Sequence, residues 1–190
     1  MKKSLVIGII LIIVSLGLFI YKEFINKPVT LHSITNTLKK EEGTRARFNA
    51  TFVAGSITND SDNGYYVMFS DGVQYIVYIS NKEAARINRY LLDHEEDSYY
   101  IEGITKLIPS NMEDNGKKFV KEWLDHSHNH EGIEEEHDHN ISTEDFYQYF
   151  GYVYLDTNTF DYIKLIIYIT GITGLLVIIY SLNTKYHLIG

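Results

Sequence analysis

Two uninterrupted apolar runs, residues 5–20 and 165–182, bracket a long stretch in which apolar positions recur at short period among charges. Neither run holds a charged residue, and flanking Ser4, Tyr21 and Lys164 bring each to the ~17–25 residues that a helix needs to cross a bilayer. The pattern predicts transmembrane helices at residues 4–21 and 163–182, with a short tail at residues 183–190.

Between the runs the periods change several times. Residues 22–43 read as a linker and a short amphipathic helix, with Leu31, Ile34 and Leu38 at helical spacing and Gly43 as the stop. Residues 45–57 alternate: Phe48 and Phe52 share parity with Ala46, Ala50 and Ala54, while Arg45, Arg47, Asn49 and Thr51 take the other face of a half-buried strand. A turn cluster at residues 59–64 leads into a strand at 65–70, and Asp71-Gly72 turns the chain into another at 73–79, which makes a three-stranded meander. Ser80-Asn81-Lys82-Glu83 has the form of a capping box and opens a helix with Ala84, Ile87, Leu91 and Leu92 on one face. Strand character returns at 98–108, and again at 146–155 through a dense aromatic run. An insertion at 109–145 separates those last two strands.

This order of strand, strand, strand, helix, strand, insertion and strand, over residues 44–156, resembles an OB-fold. The likeness rests on element order and the two tight hairpins. It implies a five-stranded barrel with one capping helix and a long acidic, His-rich insertion before the last strand. As a whole, two transmembrane α-helices flanking a β-rich (β+α) domain, the chain is similar to small bacterial two-pass membrane proteins of unassigned function with an OB-like extracytoplasmic domain.

Charge sharpens the picture. All 25 acidic residues lie between the two runs, and residues 22–162 carry 13 Lys and Arg against those 25, a balance of −12. Such a surface repels phosphate backbones, which argues against nucleic acid and in favour of cations or proteins as partners. Lys2, Lys3 and Lys185 lie outside the runs with no acid beside them, so the positive-inside tendency puts both termini in the cytoplasm and the central domain outside the cell membrane. No small-x-small site follows the first run, which reads as an uncleaved anchor. The chain has no cysteine, so packing alone must hold the exported domain.

The candidate chemistry is concentrated in the insertion. Five of the eight histidines, His126, His128, His130, His137 and His139, fall within 14 residues, beside Asp125 and Asp138. In an extended chain alternate side chains share a face, so His-x-His-x-His presents imidazoles together, and a turn at Gly132 would bring His137 and His139 back to complete a shell. Nitrogen ligands with nearby carboxylates suit Zn²⁺, Ni²⁺ or Cu²⁺ better than Ca²⁺ or Mg²⁺. The same residues also suit a solvated acidic loop, or a loop that changes charge as its histidines titrate.

Of the 16 tyrosines, ten fall in predicted strands, where packing accounts for them and stacking on sugars is the alternative. There is no phosphate loop, nucleophile elbow or zinc-protease helix. The expectation is a non-enzymatic, membrane-anchored binding module for a membrane or envelope protein, its His-rich loop able to take up a divalent metal. The alternative is an accessory that delivers Zn, Cu or Ni to a membrane transporter.

Overall fold

A computed structural model describes residues 2–94, 97–129, 141–159 and 162–186. The chain divides into two compact units. One comprises Met1–Lys27 with Phe160–Gly190, the other Pro28–Thr159.

The first unit is a pair of apolar helices, α1 (Lys2–Ile20), which runs on into a π-helical turn at Tyr21–Ile25, and α6 (Tyr162–Tyr186). The segments Lys3–Ile25 and Tyr162–Thr184 are 23 residues each, long and apolar enough to cross a membrane, and only 11% of each apolar window is covered by protein. At 1.5 Å per residue that is roughly 35 Å, against about 30 Å of hydrocarbon. The helices are antiparallel and pack through small side chains, as the small residues of both runs allow. Ser181 Oγ donates to Ser4 Oγ at 2.9 Å, and Ser15 Oγ donates to the Ile167 carbonyl at 2.8 Å. Between these contacts the backbones meet at Gly8 and Gly174. A Cβ on Gly8 would stand 2.7 Å from Ile178 Cγ1, and one on Gly174 would stand 2.9 Å from the Gly8 carbonyl oxygen.

The second unit is a mixed sheet with helices. Its strands are β1 (Val29–Thr30), β2 (Arg45–Ala50), β3 (Phe52–Asn59), β4 (Asn63–Ser70), β5 (Val73–Ser80), β6 (Tyr99–Leu107) and β7 (Val153–Asp156). Its helices are α2 (Ile34–Thr37), α3 (Asn81–Asp93), α4 (Ser110–Asn129) and α5 (Thr143–Phe150). The spatial order is β1-β2-β6-β7-β5-β4-β3. The β1–β2 and β5–β7 pairs are parallel and the other four antiparallel. Only Thr51 separates β2 from β3, and its N–H already bonds the Phe69 carbonyl of β4 at 2.8 Å. One continuous segment therefore serves both sides of the sheet, which must curl until they meet.

Among the described residues seven strands stand where the pattern predicts five. The break at Thr51 divides one expected strand in two, and the two residues of β1 pair with Ala46 and Arg47. The break also changes side-chain parity: Phe48 is buried as expected, whereas Phe52, expected on the same inner face, is half exposed. The first turn falls on residues 60–62, inside the expected cluster at 59–64, where Asp60 Oδ1 accepts the Asn63 N–H at 2.9 Å. Asp71-Gly72 turns as expected, both residues with positive φ, 50° and 78°.

Two apolar clusters lie on opposite faces of the β4–β5 hairpin. Met68, Tyr75, Val77 and Ile79 join Ala46, Phe48, Ile101 and Leu155 beneath Ala84, Ile87 and Leu91 of α3. Val67 and Ile76 point the other way, into a cluster closed by Met112 and Val120 of α4 and Phe146 and Phe150 of α5. Ser80 caps α3 by accepting the Glu83 N–H at 3.2 Å. The complete capping box lies instead at Ser142–Asp145, opening α5.

That second cluster corrects the reading of the insertion and of the last strand. Residues 109–145 do not form a bare loop, since α4 occupies Ser110–Asn129. The aromatic run expected as strand at 146–155 is helix to Phe150 and strand only from Val153. Spacing explains the second change: Phe146 and Phe150, four apart, are both buried against α4, and Gly151 with φ 76° ends the helix. Gly116 permits this packing, because a Cβ there would collide with the Phe146 ring.

Candidate functional site

The structure places the predicted metal residues as follows. Asp125 is half buried on α4, and the backbone of residues 126 and 128 continues that helix. His130, His137, Asp138 and His139 lie outside the described residues. Helical backbone at 126–129 removes the two-residue alternation on which the shared-face argument rested. Among the described residues no group of three or more His, Asp or Glu is arranged to hold a metal ion.

Two other features come together in the domain. The first is a row of aromatic rings. Phe52 of β3 lies 5.9 Å from Phe69 of β4, and Phe69 lies 5.9 Å from Trp123 of α4. Phe52 is 50% exposed and Trp123 37%. Change of parity at Thr51 turns Phe52 outward, and the helix carries Trp123 back over the sheet, so residues 71 positions apart form one surface.

The second is an open cleft of about 510 Å³. The turn at residues 60–62 forms one wall with Thr58 and Asp60. The floor is Asn63, Gly64 and Tyr65 of β4 with Tyr78 of β5, and Pro109 with Asn111, Met112 and Asn115 of α4 stands opposite. The floor is rigid: the Tyr65 and Tyr78 rings lie 4.7 Å apart, and Tyr154, buried beneath, meets Tyr65 edge-on at 5.1 Å. Burial raises the Tyr78 phenol above its ordinary pKa, and the negative charge of Asp60 adds to the effect. Tyr154 is raised further, by burial first and then by the neighbouring Tyr65 hydroxyl. Tyr78 and Tyr154 are therefore neutral at physiological pH. Asn63 is fixed as well, its Oδ1 accepting from Asn158 Nδ2 at 2.9 Å. Below it, Asp156 is buried, accepting from the Asn158 N–H at 2.8 Å and from Lys106 Nζ at 2.5 Å. That bond to Asp156 is the main reason the Lys106 amine is raised.

A second hollow of about 360 Å³ lies between α3 and β6, with Glu83, Tyr99, Tyr100 and Glu102 in its wall. Its polar groups satisfy one another. Glu102 takes Arg45 Nε at 2.5 Å and the Tyr100 hydroxyl at 2.6 Å, and Glu83 takes Arg86 and the Tyr99 hydroxyl.

Sequence reasoning missed Trp123, Asn111 and Asn115, since α4 was expected as loop. A helical reading of residues 110–124, with Met112, Phe119, Val120 and Trp123 at i, i+7, i+8 and i+11 on one helical face, would have found them.

The fold defines a β-rich domain with helices, carried between two apolar helices long enough to span a membrane. No protein-family model, curated protein or solved structure matches this chain.

Proposed function

We propose that this chain is a non-enzymatic, two-pass membrane protein whose domain docks a membrane or envelope protein. The observation that carries the reading is the aromatic row Phe52–Phe69–Trp123, large rings left partly in water on an acidic domain, which is the composition of the core of a protein interface. The terminal lysines and the even number of spans support both termini in the cytoplasm and the domain outside. Tyr162 and Tyr180, 69% and 70% exposed and 18 residues or roughly 27 Å apart along α6, support seating at the two headgroup levels. We infer further that the domain is an OB-type barrel. With β2 and β3 counted as one bent strand, the first strand pairs with the second and fourth, the third runs parallel to the fifth, and α3 joins the third to the fourth.

The test is a photo-reactive amino acid at Phe52 in native membranes, with the same label at exposed Leu92 as control. The expected outcome is a discrete protein adduct from position 52 that is absent from position 92 and is lost on Trp123→Ala. Equal labelling from both positions refutes the reading.

The density of histidines favours a second reading, a metal-handling accessory for a transporter in which His126, His128, His130, His137 and His139, with Asp125 and Asp138, collect Zn²⁺, Ni²⁺ or Cu²⁺. Calorimetric titration of the chain with each metal, beside a variant with all five histidines replaced, decides it: saturable micromolar binding lost in the variant supports the role, and identical isotherms end it.

A further inference from the structure

We propose that the cleft between the turn at residues 60–62 and the start of α4 binds a neutral saccharide. This is a binding activity distinct from protein docking at the aromatic row and goes beyond it.

The cleft's chemistry selects the ligand class. At about 510 Å³ its volume lies within the roughly 300–1,000 Å³ of small-molecule sites. Among the described residues no Lys, Arg or His lines it and the one charge is Asp60, so a phosphate or sulfate group finds no countercharge there in a domain already at −12. A purely apolar ligand would strand the polar groups that remain. Asn111 and Asn115 are exposed and make no side-chain hydrogen bond among the described residues. Asn63 has its oxygen occupied by Asn158, which leaves its own amide N–H groups for a ligand.

Amides and hydroxyls both donate and accept, which matches the hydroxyls of a sugar. The Tyr65 and Tyr78 rings supply the amphipathic surface on which the C–H face of a pyranose packs. Asp60 adds a charge-assisted acceptor. One of its oxygens is held by the Asn63 N–H at 2.9 Å, and this fixes the carboxylate before any ligand arrives. Floor and wall are thus preorganised, with Tyr65 buttressed by buried Tyr154 and Asn63 tied to Asn158.

The test uses the full chain in nanodiscs of zwitterionic phospholipid, free of sugar detergents, titrated calorimetrically with chitotetraose, cellotetraose and, as a polyanion, inorganic polyphosphate. The expected result is saturable binding of at least one neutral oligosaccharide at millimolar Kd or tighter. Removing the two helix amides in Asn111→Ala/Asn115→Ala should weaken it about tenfold, the loss expected from two hydrogen bonds. Both residues lie on the exposed face of α4, and an unchanged melting temperature verifies the fold. Asp60→Asn, which keeps the turn acceptor and removes the charge, should weaken binding several-fold. Failure of both oligosaccharides to saturate, binding indifferent to all of these substitutions, or binding of polyphosphate alone would overturn the proposal. Because no partner protein is present, none of these results bears on docking at Phe52 and Trp123.

Discussion

Tyr75 sits in the middle of the inner cluster, 2% exposed, its ring 4.7 Å from that of Phe48, and its hydroxyl has no hydrogen-bond partner among the described residues. A buried hydroxyl without a partner costs about 1–3 kcal/mol of desolvation, so Tyr75→Phe should recover that amount. Against it stands the void left by one oxygen atom, smaller than a methyl group and worth less than about 1 kcal/mol. The net expectation is stabilisation of about 1 kcal/mol, or a melting temperature raised by roughly 3–4 °C for a domain of this size. Thermal unfolding followed by circular dichroism on the full chain reads the change. Tyr66→Phe is the control of opposite sign: its part-buried hydroxyl donates to Asn81 Oδ1 at 3.0 Å, so its removal should lower stability by about 1 kcal/mol. Destabilisation of about 1 kcal/mol or more by Tyr75→Phe would refute the reasoning, since it would mean that the hydroxyl is satisfied.

The same phenol gives a pH dependence. Burial first, and Asp71 second, push Tyr75 up to about 12, above its ordinary 10, so unfolded chains release a proton that folded chains keep. Stability is complete below pH 10 and falls between about 10 and 12, and Tyr75→Phe should flatten that part of an alkaline melting profile. Gly116→Val should destabilise the domain by about 1–3 kcal/mol through collision with Phe146, measured by urea unfolding; an unchanged midpoint would show that α5 yields freely. In the helical pair, Ser4→Cys/Ser181→Cys creates the chain's only two cysteines where the hydroxyls lie 2.9 Å apart. They should form an intramolecular disulfide under mild oxidant, slowed by Gly8→Leu, which parts the backbones; on gels, indifference to Gly8→Leu would contradict close packing at Gly174.

What the sequence disclosed, and what it hid, follow from range. The apolar runs, the Asp71-Gly72 turn and the Ser80 cap are local signals, and each appears where its residues put it. Phe52, Trp123 and the aromatic run at 146–150 depend on longer contacts. Phe52 follows a break made by pairing of Thr51 with Phe69, and the aromatic run becomes helix because Phe146 and Phe150 have Val67, Ile76 and α4 to bury against. Strand propensity of tyrosine and phenylalanine competes there with a capping box and a glycine stop, and tertiary burial decides for helix. The cleft was illegible for the same reason, because one wall is a turn and the other a helix placed by packing. The histidine reading assumed extended backbone, and the described part of that segment is helix.

The curl of the sheet has a consequence for how anything can recognise this domain. At one margin β1 offers two residues, and at the other β3 is twice bulged and flanked by α3 and α4. Neither margin is a straight run of open backbone groups, so a visiting chain cannot simply extend the sheet by adding a strand of its own. Affinity must come from side chains, which concentrates selectivity in a few aromatic and amide positions. It also leaves a cysteine-free β-rich domain poorly suited to templating its own aggregation.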